Sequence, residues 1–310
     1  MKSRLALSAL FISVTLCLAS CTSPSAKTES GPIRIVASTN VYGDIARRIG
    51  GDLVDVASII GDSTKDPHGY TANAHDRLLI SQADIVIENG GGYDSFVGTM
   101  MSTTRKDLVK LNAVDLSGYA TGSAHDDDHA HDAQGNRFNE HVWYDVPTVE
   151  RITTALVSAL SERNPSGSAT FRANGDSFAS ELRNLRDTAV ALASAHRGRS
   201  IAITEPVPLY LLESSGLVNL TPAAFSDAIE QGTDVPPSVL AQMLELFSKR
   251  SVGAFFSNEQ TGGAQTEIVV AAAKTNGIPV VPIAETLPPG ENYIGWMTKN
   301  LAAISDALAG

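Results

Sequence analysis

The sequence predicts an α/β protein of two lobes, each a parallel sheet flanked by helices, joined by one long rigid helix. Three observations lead there. Apolar, β-branched runs alternate with amphipathic stretches, the same alternation occurs twice, and one long proline-free helical stripe separates the two occurrences. In the first half the strand-like runs are Ile33 to Thr39, Val54 to Ile60, Asp84 to Glu88 and Leu108 to Asn112. Helix-like stretches lie between them at Val41 to Ile49, Ala74 to Ala83 and Tyr93 to Thr103. Such alternation implies parallel strands with right-handed crossovers. Pro147 to Arg163 reads as a further helix, with Pro147 in its first turn where a missing N–H costs nothing.

The second half repeats the scheme. Its strand candidates are Ser200 to Thr204, Leu217 to Leu220, Val252 to Ser257 and Pro279 to Ile283. Helices are expected at Val207 to Ser214, Pro237 to Lys249, Ala264 to Thr275 and Asn292 to Leu308. Between the halves, Ser168 to His196 carries Phe171, Phe178, Leu182, Leu185, Ala189 and Leu192 at helical spacing. At ~1.5 Å per residue this helix spans about 40 Å, enough to run the height of both lobes as a stiff connector. Gly175 is its weak point, and two shorter helices broken there are the alternative. The resulting division is an N-terminal lobe over 33–166, a linker helix over 167–198 and a C-terminal lobe over 199–310.

Before the first lobe, Lys2 and Arg4 precede an apolar run from Leu5 to Leu18. That run is short of the ~20 residues a membrane-spanning helix needs and has the proportions of an export signal, assigned to residues 1–20. Leu18-Ala19-Ser20-Cys21 resembles the bacterial lipobox, which implies lipid on Cys21. An ordinary signal peptide with a chance cysteine is the alternative. Residues 21–32 are rich in Ser, Thr, Pro and charge and read as a flexible tether.

Composition narrows the chemistry. The two cysteines are Cys17 and Cys21, so the mature domain has neither a disulfide nor a thiolate ligand, and a metal site must use His, Asp and Glu. Loss of Lys2 and Arg4 takes the formal charge from −11 to −13. Such a chain repels nucleic acid and attracts cations. Gly90-Gly91-Gly92 lacks dinucleotide-binding spacing and reads as a turn.

Three of the seven histidines, His125, His129 and His131, lie in a stretch with four aspartates that ends at Asp132. The segment reads as an auxiliary metal-capture loop, with a merely solvated polar loop as the alternative. Ligands of open α/β sheets sit beyond the carboxyl ends of strands. His68 follows the Val54 to Ile60 strand, His141 the last strand of the first lobe, Glu205 the Ser200 to Thr204 strand and Glu285 the Pro279 to Ile283 strand. Two imidazoles thus face two carboxylates across a cleft, a neutral set suited to Zn²⁺ or Mn²⁺ and poor for Cu(I). Asp145 is a candidate partner for His141, and Glu259 for a ligand at the cleft edge. His75 and His196 read as a helix-surface and a helix-terminal residue.

With these residues in place, the chain resembles the zinc/manganese-type solute-binding lipoproteins of bacterial ABC transporters from the lipobox to the C-terminus. Asp66-Pro67-His68-Gly69-Tyr70 looks like that family's first ligand motif, and His141-Val142-Trp143-Tyr144-Asp145 like its second. The His/Asp loop stands where zinc-type members carry one. Thr204-Glu205 matches the third ligand position, often His in zinc-type and Glu in manganese-type members. Glu285 matches the fourth, most often Asp, and Pro236-Pro237-Ser238 resembles a loop before a second-lobe helix. Departures are Asn139-Glu140 in place of Asp-Pro before the second histidine, and Val146-Pro147 in place of a directly following Pro.

The resemblance implies a monomeric, extracytoplasmic, membrane-anchored protein. It would capture zinc, or manganese, and hand it to a permease and its ATPase, with no catalysis and no nucleic acid. A metal-binding surface adhesin and a zinc-dependent hydrolase are the alternatives. A hydrolase keeps a coordination position open for water, whereas four convergent ligands leave little room for one. Affinity is expected to fall as pH drops through the ordinary imidazole range near ~6.5. Calorimetry after deletion of His125 to Asp132 is expected to keep the main site and lose only weaker stoichiometry. Loss of the tight site would place the loop in the main site instead.

Overall fold

The computed structural model describes residues 31–61, 67–101, 107–119 and 138–309. The signal and tether expectations, Cys21, Asp66 and the loop histidines His125, His129 and His131 lie outside the described residues. In the first half the strands are β1 (Ile33–Thr39), β2 (Val54–Ile60), β3 (Ile85–Glu88) and β4 (Val109–Asn112). The helices are α1 (Asn40–Gly50), α2 (Ala74–Gln82), α3 (Ser95–Met101), α4 (Ala113–Ser117) and α5 (Val146–Arg163). The connector is α6 (Ser168–His196). The second half contains β5 (Ser200–Ile203), α7 (Leu209–Ser214), β6 (Val218–Asn219), α8 (Ala223–Glu230) and α9 (Pro237–Ser248). It continues with β7 (Phe255–Asn258), α10 (Ala264–Thr275), β8 (Val280–Ile283) and α11 (Tyr293–Leu308).

Both sheets are parallel and share one topology, β2-β1-β3-β4 and β6-β5-β7-β8. In each, the order reverses beside the first strand, which opens a crevice at the carboxyl ends of β1 and β3 and of β5 and β7. Period-two alternation decides what each face packs against. Ile35, Ala37, Ile85 and Ile87 of one sheet, and Ile201, Ile203 and Phe256 of the other, enter one shared core. Their alternates split between two outer cores, Val36 and Val86 in one, Ala202 and Phe255 in the other.

The shared core runs through α6, whose Phe171, Phe178, Leu182, Leu185 and Ala189 are buried in it. The helix is continuous through Gly175, so the two-helix alternative is set aside. Gly175 is a close-approach residue rather than a break. A Cβ there would lie 2.6 Å from Cγ2 of Val157 on α5. Bare backbone is what lets the two helices meet.

Two short helices, α4 and α8, have no counterpart in the sequence reading. α8 fits between Pro222 and Gly232, a window too short to show helical period.

Gly175→Ala gains ~1 kcal/mol of helix propensity, but it overpacks against a side chain whose χ1 is nearly fixed in a helix. A net loss of about 1–2 kcal/mol in urea unfolding is expected, relieved by adding Val157→Ala. A stabilised single variant would show that α5 and α6 separate freely.

Candidate metal centre

The carboxyl ends of the second sheet build one wall. Glu205 follows β5 and Glu285 follows β8, and they are 3% and 1% exposed. Asn258, the last residue of β7, donates from Nδ2 to Glu205 Oε2 at 2.8 Å and to Glu285 Oε1 at 2.6 Å. Thr261 Oγ1 also donates to Glu205, and Gln260 Oε1 accepts from the Glu285 backbone N–H at 2.5 Å. Two carboxylates are therefore held side by side by one amide, out of water, where like charges repel strongly.

The opposite wall is made of rings. His68 sits in the turn closed by Tyr70 N–H on the Pro67 carbonyl, and His141 immediately precedes the short 3₁₀ turn Val142–Tyr144. Their ring centroids are 5.9 Å apart, and both Nε2 atoms are shielded from solvent. Tyr93 packs edge-on against both, at 4.9 Å from His68 and 5.7 Å from His141. Its hydroxyl crosses the cleft to donate to Glu285 Oε2 at 3.2 Å. Burial and the Glu285 charge raise the Tyr93 hydroxyl well above its ordinary range, so it stays a donor. The turn that aims Tyr93 needs φ of 81°, 68° and 100° at Gly90, Gly91 and Gly92, and a Cβ on Gly90 would run into Asn112.

Each imidazole has a local partner. His141 Nδ1 lies 2.8 Å from Asn139 Oδ1, an oxygen that also accepts the His141 backbone N–H at 3.1 Å. An amide oxygen only accepts, so Nδ1 carries the proton and Nε2 is the ring nitrogen with the lone pair. Asn139 also bridges the lobes: its Nδ2 donates to the Pro206 carbonyl at 3.1 Å, and its own carbonyl accepts from Tyr210. His68 Nδ1 lies 4.0 Å from Glu140 Oε1, on a residue 1% exposed.

The four predicted residues thus share one neighbourhood, but the tightest convergence has a different third member. Ligand atoms of His68, His141 and Glu230 lie within 4.8 Å of one another, the one such group of three or more His, Cys, Asp or Glu among the described residues. Two secondary expectations are corrected. Asp145 caps α5 through Thr148 N–H at 3.1 Å and Thr148 Oγ1 at 2.6 Å, and Asn139 is the partner of His141. Glu259 is exposed, and its neighbour Asn258 is what touches the carboxylates. Tyr93 and Asn258 both follow or end strands, so the strand-end rule that pointed to the four candidates also reaches them. Glu230 had no such signal, because its helix was not read.

Two parallel α/β lobes on a rigid helix, with imidazoles facing carboxylates in the cleft, define a metal-type solute-binding protein. The chain belongs to the family described as zinc-uptake complex component A, periplasmic (ZnuA), which matches residues 35–307. That family consists of solute-binding proteins rather than enzymes. Among relatives, the chain is 25% identical over 317 residues to the iron ABC transporter substrate-binding lipoprotein MtsA of Streptococcus pyogenes serotype M1, covering 96% of each. It is 25% identical over 288 residues to the zinc-binding lipoprotein AdcA of Streptococcus pneumoniae R6, covering 90% of this chain and 56% of that one. Its fold is similar to the periplasmic zinc binding protein TroA from Treponema pallidum, with TM-score 0.72 and 19% identity over 90% of this chain and 99% of TroA.

Partners that orient metal-bound histidines are worth about 10–100-fold in affinity. Asn139→Ala is expected to weaken zinc binding by that factor in competition titrations while circular dichroism stays unchanged. Undiminished affinity would show that His141 is oriented without it.

Proposed function

We propose that the protein captures one divalent transition-metal ion, zinc in preference to manganese, through His68, His141, Glu205 and Glu285. As a substrate-binding component of an ABC transporter, it delivers that ion to a membrane permease served by an ATPase. The reading rests on one observation above the others: a buried imidazole with its Nδ1 on Asn139, and a half-buried one beside it, are joined through Tyr93 to two buried carboxylates bridged by Asn258. A divalent ion between them removes the carboxylate repulsion and uses the imidazole lone pairs.

Further parts of the reading are export of the chain, lipid on Cys21, a mature monomer on the outer side of the membrane, and metal concentration by His125, His129 and His131. Lobe boundaries at 33–166 and 199–310, joined through 167–198, complete it. Among the described residues no helix is long and apolar enough to cross a membrane. Zinc is favoured by the imidazole pair and the His-rich loop. The hard carboxylates at 205 and 285 are what keep manganese in view, and relatives at equal identity are named for iron and for zinc.

Release has to overcome polar ties between the halves of the chain. Asn40 and Leu287 exchange two hydrogen bonds of 2.8 and 2.9 Å. Tyr144 donates to the Ala284 carbonyl at 2.7 Å, Tyr293 donates to the Trp143 carbonyl at 2.7 Å, and the Tyr293 backbone N–H donates to Asp44 at 2.8 Å. With α6 as a stiff spine, opening is a small displacement that the permease has to drive.

Isothermal titration of protein lacking residues 1–21 is expected to give one tight Zn²⁺ per chain. His68→Ala and Glu205→Ala are expected to weaken it by at least 100-fold. Unchanged affinity in both variants would sink the assignment, and metal analysis of protein from its own host would decide between zinc and manganese.

A further inference from the structure

Glu230 is the residue that neither the strand-end rule nor the four-ligand reading accounts for. It ends α8, the helix that closes the loop between β6 and α9. Its carboxylate lies with the His68 and His141 ligand atoms inside a 4.8 Å span, and its Oε1 is shielded from solvent. The position is electrostatically unfavourable for an anion, because the carbonyl end of a helix is its negative pole. A cation at the imidazoles reverses that sign.

Two features make Glu230 distinct from Glu205 and Glu285. Those two are held in place by Asn258, Thr261 and Tyr93 at the strand ends. Glu230 instead stands on a short helix followed by Gln231 and Gly232, and Gly232 has φ of 62°. It also lines two cavities, about 180 Å³ beside Asn139, Pro206 and Asp227, and about 360 Å³ beside Gly232, Gln260 and Thr261. The side chain therefore adjoins both cavities as well as the imidazoles.

We propose that Glu230 is a fifth protein ligand that holds the ion together with His68 and His141 in a capture arrangement, before Glu205 and Glu285 take it. Three protein ligands with water in the remaining position make a workable zinc shell. The ion is then passed across the cleft, as the carboxylates under Asn258 replace Glu230 while the imidazoles stay bound. This inference rests on the metal-capture reading above, and it adds an entry step that the four-ligand set lacks.

The test uses Zn²⁺ for affinity and Co²⁺ as a spectroscopic probe of the same site. A Glu205→Gln/Glu285→Gln double variant is expected to retain a weakened site of one ion, with a Co²⁺ spectrum that still reports both imidazoles. Adding Glu230→Gln is expected to weaken that residual site at least tenfold further. In the otherwise unaltered protein, Glu230→Gln alone is expected to slow stopped-flow zinc capture at least fivefold with the fold intact by circular dichroism. Glu230→Ala is expected to do the same, which separates the lost ligand from any effect of the new amide.

If the native protein binds tightly, His68→Ala weakens it, and Glu230→Gln changes neither the residual site nor the capture rate, the proposal is overturned while the capture function stands. If His68→Ala leaves native binding unchanged, the capture function itself fails.

Discussion

Two carboxylates withdrawn from water share the N–H groups of one amide, and the cleft is organised around that constraint. Glu205 and Glu285 each accept from Asn258 Nδ2. A buried carboxylate pair is unfavourable unless something positive or strongly polar stands beside it. Hydrogen bonds from Asn258, Thr261 and Tyr93 supply part of that compensation. On the proposed function, a divalent ion held from the other side by His68 and His141 supplies the rest. On that proposal the site is more stable loaded than empty, which is what capture from dilute solution requires.

The fold exists to keep those groups opposed. Both sheets reverse strand order beside their first strand, so each presents a crevice at its carboxyl edge. The shared core through α6 keeps the two edges in fixed relation. Gly175, by admitting Val157 to the surface of α6, lets α5 lie close against that spine. Interlobe bonds from Asn40, Asn139, Tyr144 and Tyr293 then tie the lobes around the cleft.

Much of this was readable in the chain. The eight strands and the long helix announce themselves because apolar period and length agree, and β-branched runs bounded by turns have few other uses. His68, His141, Glu205 and Glu285 stood out as candidates because ligands of parallel sheets sit beyond strand ends. Asn139 looked like a departure from a motif, and its role as the acceptor for His141 needed the backbone turn that returns its side chain to the ring. Asp145 misled because sequence adjacency to a histidine says nothing about direction, and its geometry is that of a helix cap. Glu230 was hidden because the eight residues of α8 are too few to show a period, and because its proximity to His68 joins segments far apart in sequence.

The central claim is that one ion is shared between imidazoles of the first half and carboxylates of the second. X-ray absorption at the zinc edge of the loaded protein tests it most directly. The account predicts two imidazole nitrogens at ~2.0–2.1 Å together with carboxylate oxygens, falling to one imidazole in His141→Ala and losing oxygen scattering in Glu205→Ala. A loaded site with no imidazole signature, or one whose spectrum is unaltered by both substitutions, would contradict it.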